Sequence, residues 1–306
     1  MKLITLALSF LFTLNGVGQQ ITRKPVPGTR LTIEIHGDNE IARHAPILNI
    51  EDKVDLNIVE MTDSAAYERT KSDLTVKNIQ AQGFVIKENR EIKVNGYAGR
   101  FILVEIGTSE YGFSCYFGDA TFLAMCTAVY DRSDEVMLSK LLKAVQSIKI
   151  DKNQSIDWNS FLSFRYNPES IFQLDSSQNH NLGIRFTANA VAQTNMFDRT
   201  MIMCMQAPPT NQTFSAEDVI NRSLVPQLAI FEINDVMEDG QETLNNTDSY
   251  IFNGDCTMEG KDFEIYSRAF FHESAIVLIS AYIINGEDET AAKAFVDGIR
   301  LKKDGL

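Results

Sequence analysis

One stretch of this chain occurs twice, and that repetition limits the fold more than any other feature. Phe117-Gly-Asp-Ala-Thr-Phe-Leu-Ala-Met-Cys126 and Phe271-His-Glu-Ser-Ala-Ile-Val-Leu-Ile-Ser280 share one plan: an aromatic strand end, a short polar turn and an apolar strand. Phe117 and Phe271 stand 154 residues apart, and the same spacing runs without a gap into the segment that follows. There Leu138, Leu141, Leu142 and Val145 fall at i, i+3, i+4, i+7, as do Ala292, Phe295, Val296 and Ile299. Each set is an amphipathic stripe that a helix turns toward a core. Asp134-Glu135 and Asp288-Glu289 sit in the two first turns, where the helix dipole favours acids. Upstream, Asn95-Gly96 matches Asn253-Gly254 at a spacing of 158, each read as a turn between strands, so the second copy is expected to lack a few residues near Gly107 to Gly112.

The early part of each copy is less alike. Leu31 to Ile35 and Val54 to Met61 read as strands by alternation and β-branching, and Asp63 caps a helix from Ser64 to about Ile79. In the second copy Met201 to Gln206 is strand-like, Pro208-Pro209 breaks it, Ser215 with Asp218 forms a capping box, and Pro226 kinks or ends that helix. Strands, a helix, a meander of strands and a closing helix imply an α+β fold: two related domains, each a largely antiparallel sheet flanked by helices. The boundary falls in the polar stretch Asp151 to Asp157, which divides the mature chain into 19–151 and 152–306.

An Asn-Gly turn, a Gly-Arg-Phe strand at Gly99 to Phe101, the Phe-Gly-Asp hairpin at Phe117 to Asp119 and a closing helix ending Ser147-Ile-Lys149 together resemble the Mog1/PsbP-like fold. The likeness covers most of both copies through short apolar motifs, and a cystatin-like α+β fold is the main competitor. The resemblance implies binding rather than catalysis, and it places no functional motif on these positions. The second copy departs from it where Thr257-Met-Glu259 stands against Gly99 to Phe101.

The N-terminus reads as an address. Met1-Lys2, an apolar run from Leu3 to Leu14 and the small residues Gly16-Val17-Gly18 form a secretory signal peptide over 1–18. The run is shorter than the roughly 20 residues a membrane span needs, so cleavage near Gly18 yields a chain expected to be secreted or periplasmic, with no membrane span. The net charge of −13 argues against nucleic acid and against anionic membrane surfaces. The sequons at Asn153, Asn211, Asn221 and Asn245 matter only in a eukaryotic secretory pathway, and the bacterial look of the signal makes them chance.

An even count of four cysteines in an exported chain allows disulfides. Cys115 and Cys126 share one face of the hairpin. A two-residue turn at Gly118-Asp119 would leave Cys126 four residues along the strand, too far for a bridge, whereas a longer turn would bring the thiols together. Ala269 and Ser280 replace both at a spacing of 154, which suits a pair or two small core positions. Cys204 and Cys256 are the second candidate bridge.

Catalytic signatures are scarce. The chain has no Gly-x-Ser-x-Gly elbow, no His-Glu-x-x-His, no Cys-x-x-Cys and no Gly-rich loop after a strand. Three features remain. His36, Asp38, Glu40 and His44 are metal-ligand types in one polar segment, read otherwise as a solvated loop. Met201, Met203 and Met205 line one strand face as three thioethers suited to Cu(I), or fill a core. Glu232, Asp235, Glu238, Asp239 and Glu242 form an acidic stretch for Ca²⁺ or a basic partner, or a plain solvated surface. The reading is a non-enzymatic binding or adaptor protein with a protein partner and no cofactor. The alternatives are soft-metal handling and a hydrolase assembled from distant residues such as His180.

Overall fold

Alternation of apolar and polar residues, with turns at Gly and Asn, lays most of this chain into antiparallel ladders. The computed structural model describes residues 21–62, 65–175, 183–189, 199–207, 232–244, 247–258, 260–272, 275–284 and 286–302. The first half runs β1 (Thr22–Pro25), β2 (Leu31–Ile35), β3 (Glu40–Ile41), β4 (Ile47–Ile50), β5 (Val54–Met61), α1 (Ala66–Asp73), α2 (Val76–Ala81), β6 (Val85–Val94), β7 (Tyr97–Ile106), β8 (Glu110–Asp119), β9 (Phe122–Asp131), α3 (Met137–Gln146) and β10 (Lys149–Ile150). The second half runs α4 (Trp158–Phe161), β11 (Phe164–Arg165), β12 (Phe172–Leu174), β13 (Ile184–Ala188), β14 (Met201–Ala207), β15 (Glu232–Leu244), β16 (Thr247–Met258), β17 (Lys261–His272), β18 (Ala275–Ile284), α5 (Glu289–Asp297) and β19 (Arg300–Leu301).

Two seven-stranded sheets result, ordered β3-β4-β5-β9-β8-β7-β6 and β12-β13-β14-β18-β17-β16-β15. The second order is the first repeated strand for strand. The satellites repeat as well: β10 pairs with β2 after α3, and β19 pairs with β11 after α5. Both units are α+β, with every described ladder in the two large sheets antiparallel.

Each closing helix buries one stripe. Leu141, Ala144 and Val145 of α3, with Ile148 beyond it, pack on Phe101, Phe113 and Phe117 of the first sheet. Ala292, Phe295 and Val296 of α5, with Ile299, pack on Phe186, Phe270 and Ile279 of the second. The opposite face of the first sheet carries Ile102, Tyr116 and Leu123 under Ala66 and Ile79 of α1 and α2. Fully burying one such aliphatic or aromatic side chain contributes about 1.5–3 kcal/mol.

The spacing between the copies differs from the sequence reading. Asp119 pairs with Phe122 and His272 with Ala275, so the hairpins are 153 residues apart rather than 154. In that register Phe117 corresponds to Phe270 and Cys126 to Ile279, both pairs facing the closing helix. In the helices the offset is 151, as Ile148 and Ile299 lie directly before the β10 and β19 satellites. A stripe at i, i+3, i+4, i+7 overlays itself after a shift of three, so the helix pattern alone could not set the register.

Two turns also move. The β8–β9 turn is Ala120-Thr121, not Gly118-Asp119. Asn253-Gly254 is no turn: it lies inside β16, paired to Tyr266 and Ile265, and the β15–β16 hairpin closes at Leu244 and Thr247. A Cβ on Gly254 would stand 2.8 Å from the Asp235 carbonyl oxygen, beside a bulge in β15. That glycine therefore serves a close backbone approach rather than a bend. Gly99-Arg100-Phe101 matches Ser249-Tyr250-Ile251 in the ladders, not Thr257 onward. The single helix expected from Ser64 to Ile79 is two, divided where Thr75 turns extended and its hydroxyl accepts the Asn78 N–H as an N-cap. Asp63, Pro208-Pro209, Ser215, Asp218, Pro226 and the signal segment lie outside the described residues.

Between β10 and α4, residues 151–157 carry neither helix nor strand. Lys152 pins their start: its ammonium donates to Asp119 Oδ2 at 2.7 Å and Thr121 Oγ1 at 3.0 Å, and sits over the Tyr97 and Phe122 rings. The Lys152 bond first, and the Thr121 hydroxyl second, hold the Asp119 carboxyl down at about 2. A carboxyl depressed on folding adds stability above about pH 4 that is lost as pH falls toward its folded value. The expected result in a carboxyl-carbon NMR titration is an Asp119 midpoint near 2. In Lys152→Met the midpoint returns toward the ordinary aspartate value, and a midpoint unmoved by that substitution would refute the pinning.

Candidate functional site

Among the described residues, two places are candidate ligand sites: the junction of the two halves and the outer edge of the second sheet. At the junction the first half contributes the β1–β2 turn, where Val26-Pro27-Gly28-Thr29 puts Gly28 at φ 69° after a proline, as a type II turn requires. The Thr29 hydroxyl donates to the Val26 carbonyl at 2.8 Å and accepts the Leu31 N–H at 3.0 Å, which stiffens the turn. His44, from the segment between β3 and β4, lies 3.1 Å through Nδ1 from the Phe161 carbonyl of α4. A carbonyl only accepts, so Nδ1 carries the proton.

Gln206, at the end of β14, holds the junction together. Its carbonyl oxygen accepts from the Ser163 N–H at 2.9 Å and the Ser163 hydroxyl at 3.0 Å. Its amide nitrogen donates to the His44 carbonyl at 3.1 Å and to the Phe161 carbonyl at 3.0 Å. Lys302, just after β19, donates from Nζ to the Leu162 carbonyl at 2.8 Å. A crevice of about 510 Å³ opens beside these groups, with walls from both halves and from the 151–157 connection.

The second place is β15, the edge strand of its sheet; among the described residues it pairs with β16 alone. Ile233, Val236 and Met237 are exposed along it, each above 40 %. Asp235 lies between Ile233 and Val236, and Glu238, Asp239 and Glu242 follow Met237. Two irregularities, between Ile233 and Asp235 and between Val236 and Glu238, interrupt its ladder with β16.

The residues singled out from sequence are dispersed. His36 Nε2 lies 3.7 Å from Glu34, while His44 engages Phe161, so the two imidazoles have different surroundings. No group of three His, Cys, Asp or Glu able to hold a metal occurs among the described residues. Met201 is buried, and Met203 and Met205 are half-buried, all packed in an apolar cluster with Phe252, Phe263 and Leu278. Thioethers so placed fill space between carbon side chains. His180 lies outside the described residues.

All four cysteines are free, buried thiols. Cys115 faces Cys126 directly across β8 and β9, because the turn is two residues further on than expected. Burial pushes the Cys115 thiol up to about 12 and Cys126 and Cys204 well above their ordinary value. Such thiols carry no nucleophilic thiolate at neutral pH. The expected Cys204–Cys256 pairing fails geometrically. Cys204 faces α5 and Cys256 the opposite side of the sheet, with β18 and β17 between their strands. Three strand spacings of about 4.8 Å exceed any disulfide span. Sequence reading missed Gln206, Arg43 and Lys302, which carry no local motif; of the junction residues it had singled out His44, and Pro27-Gly28 was a further legible turn signal.

No protein-family model and no curated protein matches this chain. Among solved structures it is similar to the apo immunity protein TplEi of the T6SS from Pseudomonas aeruginosa: 10% identity over 94% of this chain and 98% of that one, TM-score 0.34. A chain of the Tle4-Tli4 complex is similar at 10% identity over 92% and 97%, TM-score 0.33. Cyanobacterial PsbP from Synechocystis sp. PCC 6803 is similar at 7% identity over 45% of this chain and 91% of its own, TM-score 0.28. The architecture rests on the strand order itself.

Proposed function

We propose that this chain is a non-enzymatic binding protein, acting outside the cytoplasm after loss of residues 1–18, whose two α+β domains span 19–151 and 152–306. The observation that carries this reading is the β15 edge. An edge strand offers a row of unpaired N–H and C=O groups to another chain, and native proteins usually blunt it. Here the exposed apolar side chains Ile233, Val236 and Met237 sit beside the exposed carboxylates of Asp235, Glu238 and Asp239. A second copy of β15 would meet like charges directly opposite, which disfavours self-pairing. An extended segment rich in Lys or Arg meets complementary charge and apolar contact together. Among the described residues no helix is long and apolar enough to cross a membrane.

The test uses the full chain with two fluorescent peptides of alternating sequence, one Lys-Val and one Glu-Val. The Lys-Val peptide is expected to bind with an affinity that falls as salt rises, since exposed charge pairs are screened. The Glu-Val peptide is expected not to bind. The triple variant Asp235→Lys, Glu238→Lys, Asp239→Lys is expected to reverse that preference. Equal binding of the Lys-Val peptide to the wild type and the triple variant, or none to the wild type, overturns the proposal.

A further inference from the structure

The crevice at the junction has a charge opposite to that of the protein around it. Arg43 and Lys302 line it together with Asp157, and Arg165 stands near enough to Lys302 to repel its ammonium, in a chain of net charge −13. Arg43 and Arg165 are exposed, and neither forms an ion pair among the described residues. Burial first, and repulsion from Arg165 and Arg43 second, lower the Lys302 ammonium from its ordinary value, while Asp157 opposes them. The lysine is nevertheless held in place through the Leu162 carbonyl. The walls are apolar: Val26, Pro27, Ile156 and Phe161. At about 510 Å³ the crevice lies within the usual range of small-ligand sites, roughly 300–1,000 Å³, and such sites concentrate where domains meet.

We propose that this crevice is a binding site for a carboxylate attached to an apolar side chain, with Lys302 and Arg43 receiving the carboxylate and Val26, Ile156 and Phe161 the side chain. Among the described lining residues two cations, Arg43 and Lys302, stand against Asp157, which suits one negative charge better than the two of a phosphate. Because the walls come from both halves, an occupant bridges them. The site is independent of the β15 edge, and either can fail without the other.

Isothermal titration of the full chain with N-acetyl-leucine and with N-acetyl-leucinamide tests this. The acid is expected to bind and the amide to bind at least about tenfold more weakly, a difference of about 1.4 kcal/mol. The variant Arg43→Gln, Lys302→Gln is expected to lose acid binding. Arg43→Gln alone alters an exposed side chain, keeps the fold, and is expected to weaken the acid severalfold. A tetrapeptide ending in a free leucine separates two sources of the same chemistry: tighter binding than N-acetyl-leucine assigns a peptide terminus, and equal binding a free acid. Absence of acid binding, equal binding of acid and amide, or wild-type acid affinity in the double variant overturns the proposal.

Discussion

Replacing Glu242 and Asp297 together by alanine is expected to destabilise the protein by about 3–5 kcal/mol, whereas Arg268→Leu should cost under about 1.5 kcal/mol. The asymmetry follows from burial. The Arg268 side chain is 6% exposed, while those of Glu242 and Asp297 are 35% and 40% exposed. Arg268 Nε donates to Asp297 Oδ1 at 2.6 Å and another nitrogen donates to the Tyr266 hydroxyl at 3.1 Å; Glu242 pairs with the remaining guanidinium nitrogen. The Tyr266 hydroxyl in turn donates to Asp297 at 2.9 Å. Removing both acids strands a cation between β17 and α5, and a buried unpaired charge is among the costliest defects known. Removing the arginine leaves two carboxylates whose side chains are each more than a third exposed. Position 115, which corresponds to 268 in the first domain, is a buried cysteine, so this fold accepts an uncharged side chain there. Urea unfolding reads the result; an Arg268→Leu loss as large as that of the double variant would refute the ranking.

Gly99→Ala is expected to cost about 3 kcal/mol or more, at the upper end of overpacking effects. A Cβ there would stand 2.3 Å from the Tyr116 carbonyl oxygen, 2.7 Å from Phe117 Cβ and 3.0 Å from Phe117 Cα. None of these atoms is the far end of a flexible side chain, so the β7–β8 ladder itself must part. Gly112 lies in the same pair of strands and supplies the control. Its added Cβ meets side-chain carbons alone, Ile106 Cδ1 and Val104 Cγ2 at 2.9 Å and Ile106 Cγ1 at 3.3 Å, which give more readily than backbone. Gly112→Ala should therefore cost about 1 kcal/mol. Thermal melting of the two variants compares them, and equal losses would show that backbone contact at Gly99 is not the cause.

The duplication was legible because buried aromatic and aliphatic positions recur at strand and helix periods. The register was not legible. Along a strand a slip of one residue exchanges the two faces, and Phe270 and Phe271 in succession offer an aromatic to either choice. Only the pairing of His272 with Ala275 shows that Phe270 is the counterpart of Phe117. The Asn253-Gly254 signature misled because a glycine that permits a turn also permits a close approach from a neighbouring strand, here β15 at its bulge. Met201, Met203 and Met205 were correctly placed on one strand face, yet only the cluster around Phe252 and Leu278 shows what that face meets.

The candidate sites divide in the same way. The acidic run of β15 was visible as charge, but its position at a sheet edge with Ile233, Val236 and Met237 exposed depends on pairing between strands far apart in the chain. The junction was legible only in fragments, His44 and the Pro27-Gly28 turn, since Arg43, Gln206 and Lys302 come from three segments with no shared motif. Local periodicity and turn chemistry act over a few residues, and on their own they determined that this chain makes two sheet-and-helix units. Which residues face each other across a ladder, which strand is left at an edge and which charges gather in a crevice were decided by contacts between distant segments. Those depend on the packing of whole elements, which no short stretch of sequence encodes.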